Sequence, residues 1–224
     1  KLSEYLEHGV HLDGFLKHEL ENLFYQTPVT MWKLLTEMQV PEIFSRYFSK
    51  AWGVDAASAA SAMIINYAVE HRSKNKFADW YGQTYLPHLL KIPTEKMNKD
   101  LLCRTMDFFT DEKIEKIHAD IVNVAKTKYN LKDDKLFFDI TDVTFEGVHC
   151  PIAKNGYNSR HEYNPQINLA MATTIERFPV IHKVFEGGTK DVKTLIPAVS
   201  LLEKFKVLEK TIFIIDRGLT SKGN

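Results

Sequence analysis

A change of hydrophobic period near residue 130 constrains this chain more than any other feature. Before it, apolar residues recur at the three- and four-residue spacing that puts them on one stripe of a helix. Leu12, Phe15, Leu16 and Leu23 begin the pattern, Trp32, Leu34, Leu35 and Met38 resume it after a break at Pro28, and Ile43, Phe44, Tyr47 and Phe48 follow a second break at Pro41. Asp55 stands as N-cap to the alanine-rich run 56–70, and Asn98 as N-cap to a helix carrying Leu101, Leu102 and Met106. Thr110, followed by two acids in the first turn, opens a last helix with Ile114, Ile117, Ile121, Val124 and Ala125, expected to end before Asn130.

After residue 134 the residues are those of strands. Leu136 to Phe145, Gln166 to Thr174 and Pro179 to Phe185 are runs rich in apolar and β-branched side chains, separated by a polar stretch at 146–164 and a short turn at Glu176–Arg177. A helix is expected over 194–207, with Pro197 in its first turn, and a buried strand over Thr211 to Ile215. The reading is an α+β chain: a helical region over 1–130, then a β-β-β-α-β unit over 131–224.

Composition narrows the function classes. With 29 basic and 29 acidic residues in 224, 44% of them apolar, the chain is neither a disordered polyelectrolyte nor a purely electrostatic nucleic-acid binder. It lacks an apolar run long enough for a membrane span and has no leader-like start, so a cytoplasmic protein is expected. Its two cysteines, Cys103 and Cys150, suit a reducing compartment. Walker-type loops, dinucleotide fingerprints and nucleophile elbows do not occur. His8, His11 and His18 lack a zinc spacing, and His149, Cys150 and His161 share only a polar loop.

Two aspartates carry the chemistry. Asp139 interrupts the apolar strand Leu136-Phe137-Phe138-Asp139-Ile140, where a buried carboxylate would need a partner, a metal or a raised pKa. Asp216 follows the last strand at its carboxyl end, where α/β sheets place ligands. A right-handed crossover through 194–207 would set the last strand parallel to and beside the first, bringing the two carboxylates together. Such paired hard oxygens suit Mg²⁺ or Mn²⁺. The plainer alternatives are a turn at Asp216-Arg217-Gly218 and a backbone-bonded Asp139 at a sheet edge. Asp142 and Glu146 fall on the face opposite Asp139.

Phe138-Asp139-Ile140-Thr141-Asp142-Val143-Thr144-Phe145-Glu146 resembles the first-aspartate strand of bacterial DDE-type insertion-sequence transposases, closest to the insertion-sequence-four-like group. Gly156-Tyr157-Asn158-Ser159-Arg160-His161, Pro165-Gln166-Ile167-Asn168-Leu169, Phe178-Pro179-Val180, the stretch from Val184 to Leu195, and Ile215-Asp216-Arg217-Gly218-Leu219 are similar to later segments of that group, in the same order. The likeness is strong over 135–222 and weaker over 30–134. Departures occur at Glu162-Tyr163-Asn164, where the family tends to have Arg-Pro-Asp, and at Glu186-Gly187-Gly188, where it has a Pro-Gly-Asn turn.

The resemblance implies a ribonuclease-H-like catalytic core in which Asp139 and Asp216 are the first two metal-binding carboxylates, with Mg²⁺ as cofactor and Mn²⁺ as substitute. It implies double-stranded DNA, both element ends and target, as substrate, and a homo-oligomer in the synaptic complex. The third acid, a Glu, would lie on a later helix; no acid follows Asp216, so the chain is expected to be the first part of a longer enzyme, inactive alone. Arg160, Lys193 and Arg217, with Lys154 and Lys190, are candidate phosphate contacts. The helical region is expected to bind element-end DNA or pair subunits. The alternative is a non-catalytic DNA-binding or interaction module derived from a transposase.

Overall fold

The computed structural model describes residues 26–51, 53–158, 160–189, 197, 200 and 211–215. It is a mixed α/β chain of seven α-helices and two sheets among the described residues. It divides into two compact units between Ile117 and His118, inside the last helix rather than after residue 130.

The first unit is helical, as its period predicts. Helix α1 (Gln26–Glu37) contains Pro28 instead of stopping at it. Gln39, at φ 56°, ends that run, and α2 (Val40–Tyr47) starts with Pro41 in its first turn. A small hairpin of β1 (Lys50–Ala51) and β2 (Val54–Asp55) turns at Gly53, a feature the helical pattern did not reveal. Asp55 then caps α3 (Ala56–Val69), its Oδ2 accepting from Ser58 N at 3.0 Å. Ala56, Ala57, Ala59, Ala60 and Ala62 are all buried, the small side chains letting neighbouring elements approach this helix closely.

Two short helices, α4 (Phe77–Gly82) and α5 (Leu86–Leu90), follow, with Trp80 and Tyr81 buried as core rather than displayed as stacking platforms. Tyr81 Oη donates to the Ile92 carbonyl at 3.0 Å. In α6 (Lys99–Met106), Asn98 Oδ1 accepts from Leu101 N at 3.0 Å, the cap the sequence predicts. Phe44, Phe48, Phe108 and Phe109 close the unit with stacked and edge-on ring contacts. Helix α7 (Asp111–Tyr129) ends at Asn130, whose φ of 51° and the Leu131 N–H returning to the Lys126 carbonyl make a left-handed cap.

The second unit is a five-stranded sheet: β3 (Lys135–Thr144), β4 (Lys154–Tyr157), β5 (Tyr163–Thr173), β6 (Pro179–Glu186) and β7 (Ile212–Ile215). β5 lies at the centre, antiparallel to β3 on one side and to β4 and β6 on the other. β7 pairs with β3 in parallel, the arrangement expected of a crossover after β6. The helix expected over 194–207 lies almost wholly outside the described residues. Strand β4 sits within the stretch that the sequence reads as a polar loop. Its Lys-Asn-Gly-Tyr has no apolar alternation, and it is a strand because β5 extends past β6 and presents open backbone groups to it.

β3 and β5 alternate strictly. Leu136, Phe138, Ala170 and Ala172 are buried on one face and form a core with Val180, Ile181 and Val122 of α7. On the opposite face Phe137, Val143, Val184, Ile212 and Ile214 are all exposed. Among the described residues no helix is long and apolar enough to cross a membrane.

Candidate functional site

Asp139 is at the middle of β3, and it is exposed. The sequence placed it inside an apolar strand and so expected a buried carboxylate. The structure corrects that premise, because only every second residue of β3 faces the core and Asp139 shares the opposite face with Phe137. No desolvation cost therefore calls for a partner. Asp139 Oδ1 accepts a hydrogen bond from Ile140 N at 2.8 Å, which tethers the carboxylate while leaving its second oxygen unengaged by any described residue. Asp142 is on the other face, opposite Asn168 in register, as alternation requires.

The register of the parallel pair runs up to Phe138 and Ile215. Lys135, Leu136, Phe137 and Phe138 are opposite Ile212, Phe213, Ile214 and Ile215. Ile212 N donates to the Asp134 carbonyl at 2.8 Å and Thr211 Oγ1 to the Asp133 carbonyl at 2.8 Å, anchoring the start of β7 to the start of β3. The next residue in the sequence after Phe138 is Asp139, and the next after Ile215 is Asp216. Asp216 lies outside the described residues, as do Lys190, Lys193 and Arg217 and the three N-terminal histidines.

Of the proposed phosphate contacts, two are described. Lys154 is exposed on β4 and pairs with Glu186 at 3.5 Å. Arg160 is exposed in the β4–β5 turn and makes no ion pair with a described residue. The turn is fixed by Asn158, whose buried side-chain Oδ1 accepts from Arg160 N at 3.0 Å and Glu162 N at 2.8 Å. Among the described residues no group of three His, Cys, Asp or Glu side chains is placed to hold a metal.

Two features escaped the sequence reading. Tyr157 and Tyr163 face one another across β4 and β5, 67% and 70% exposed. The signal was present as tyrosines flanking the polar run Asn158-Ser159-Arg160-His161-Glu162, but only the pairing of β4 could align them. The second is a histidine pair within the sheet unit. His118 of α7 sets its ring edge-on to His182 of β6, centroids 4.7 Å apart. Burial pulls His118 down to about 4; repulsion from His182 adds to this, and a backbone hydrogen bond at Pro179 opposes it. His182 is more open to solvent, yet the desolvated part of its ring lowers its pKa as well.

No protein-family model, curated protein or solved structure matches the chain.

Proposed function

We propose that the sheet is the opening part of a ribonuclease-H-like core, and that the complete protein is a DDE-type DNA transposase using Asp139 and Asp216 as its first two metal ligands. The observation that carries the reading is the β3–β7 register. Phe138 is opposite Ile215 in a parallel pair, and each is followed by an aspartate. Two carboxylates reached at the same level of adjacent parallel strands, at the carboxyl end of one of them, make a typical anion-rich position for a cation-assisted reaction on phosphate. The order of the strands supports the same reading: β3, β5 and β6 are antiparallel neighbours, with the short β4 beside β6 on the β5 edge, and the last strand is parallel to β3.

The donor set fits Mg²⁺ in its chemistry. Asp139 is a hard oxygen ligand, exposed, with one oxygen held by the backbone of Ile140 and the other unengaged among the described residues. Bound there, Mg²⁺ or Mn²⁺ would supply positive charge where phosphoryl transfer builds negative charge. The chain's own part is to position and to neutralise. The exposed Arg160, and the sequence-level candidates Lys193 and Arg217, would take DNA phosphates while the sheet keeps the aspartates in register. The partner is double-stranded DNA, and the cleavage and strand transfer of the complete enzyme would require a third acid beyond those present here.

The test is Mn²⁺ titration of the purified chain by calorimetry or by the electron-spin signal of free Mn²⁺. Saturable binding that Asp139→Asn weakens at least ten-fold supports the metal site. Absence of saturable binding, or equal binding by Asp139→Asn, turns the reading toward the non-catalytic DNA-binding module.

A further inference from the structure

The β4–β5 hairpin displays an aromatic pair that the core does not need. Tyr157 and Tyr163 are directly opposite in register, and the Asn158 N–H to Glu162 carbonyl bond, 2.9 Å, is in the adjacent pair. The tyrosines therefore occupy a non-hydrogen-bonded position, where cross-strand side chains come closest. Both rings are mostly in water, although large aromatics normally bury most of their surface. Their mounting is tied by hydrogen bonds among the described residues. Asn158 is 3% exposed and ties the turn through its side chain and backbone, His161 adopts φ 64° with its N–H on the Asn158 carbonyl, and Tyr157 Oη is 3.0 Å from His161 Nδ1. Arg160 stands at the tip, exposed and without an ion pair among the described residues.

The pair also shares a face with Asp139. Asp139 is opposite Met171, and Tyr163 is an even number of residues back along β5, so the two side chains leave the same side of the sheet. The one irregularity in β5 pairing falls between Ala172 and Thr173, outside this stretch. At roughly 3.4 Å per residue the tyrosines are about 27 Å from Asp139 along the strand, near eight steps of a B-form strand.

We propose that Tyr157 and Tyr163 form a stacking platform for unpaired nucleobases, with Arg160 contacting the adjoining phosphate. The inference rests on the DNA-transposase reading for its partner and adds where a single-stranded stretch of that DNA is held. Exposed aromatics next to a guanidinium with no ion pair among the described residues are the elements of single-strand binding, since every base offers a π face. The choice of nucleic acid over a protein partner comes from the proposed function, since exposed Tyr and Arg side chains serve protein interfaces as well.

The experiment is fluorescence anisotropy of the full chain, in EDTA, with a blunt duplex, the same duplex carrying a single-stranded thymidine overhang, and the single strand alone. The wild-type chain is expected to prefer the overhang to the blunt duplex by about ten-fold. The double variant Tyr157→Ala/Tyr163→Ala loses that preference at unchanged thermal midpoint, whereas Tyr157→Phe/Tyr163→Phe keeps it. Arg160→Ala weakens the overhang duplex and the single strand more than the blunt duplex and lowers their salt slope by about one. Equal affinity for all ligands, no binding, or a preference that survives the alanine pair overturns the proposal. So does self-association that the alanine pair disperses with no change in nucleic-acid preference, which would mark a protein interface. Because the assay excludes metal, it is independent of the Mn²⁺ titration, and either reading can fail while the other stands.

Discussion

Phe138 and Ile215 are opposite one another in the parallel pairing of β3 and β7, and the residue after each is an aspartate. On the proposed reading this register couples metal binding to folding, because a cation held by both strands binds only the paired sheet. At Mn²⁺ about ten times its Kd, stability should rise by about 1.4 kcal/mol. Asp139→Asn should remove that rise. Urea unfolding with and without Mn²⁺ measures it, and a gain that persists in the variant would place the ion elsewhere.

Acid should loosen the sheet unit through His118. Its folded pKa, about 4, is below the ordinary value, so between those values the unfolded chain binds the extra proton. The stabilising contribution is present above about pH 6.5 and is lost as pH falls toward 4. Partial solvent access limits the loss to roughly 1–3 kcal/mol. His182 is shifted in the same direction and widens the effect. His118→Gln should flatten the stability profile between pH 7 and 4.5, measured as the urea midpoint at each pH. An unchanged slope would assign the acid sensitivity to other groups.

Gly187 tolerates no side chain. A Cβ there would be 1.9 Å from the Gln166 carbonyl oxygen and 2.6 Å from that of Lys154, both backbone atoms that cannot turn aside. Gly187→Ala should cost roughly 3 kcal/mol or more and disturb the corner where β4, β5 and the end of β6 meet. Circular dichroism and thermal midpoint report it directly. A near-wild-type midpoint would mean that this corner shifts more easily than its hydrogen bond from Gly187 N to Ile152 O, 3.0 Å, suggests.

The two helix caps should behave as local, additive contributions. Asp55→Ala removes the bonds to Ser58 N and to Ser58 Oγ, the latter 2.6 Å, and Asn98→Ala removes the bond to Leu101 N. Each should cost about 1 kcal/mol, and because they cap different helices the double variant should cost their sum within about 0.5 kcal/mol. Chemical denaturation of the single and double variants provides the cycle.

Most of the helix and strand content, the caps at Asp55 and Asn98 and the end of the last predicted N-terminal helix before Asn130 were legible in the residues, because each depends on a few neighbours along the chain. Pro28 misled for the same reason: proline reads as a break until its position within a turn is known. Asp139 and Asp216 stand out in the sequence against apolar strands, and their joint role as a metal site is a proposal drawn from the expected strand placement and the family likeness. The parallel placement of the last strand beside the first was expected from the crossover, but local pattern supplied neither exact register nor side-chain contacts. The exposure of Asp139, the short strand β4 with its alignment of Tyr157 and Tyr163, the contact of His118 with His182 and the register of Phe138 with Ile215 depend on which elements pair. Period-two alternation determines that successive side chains leave opposite faces. Which of those faces a core covers is decided only when strands and helices pack.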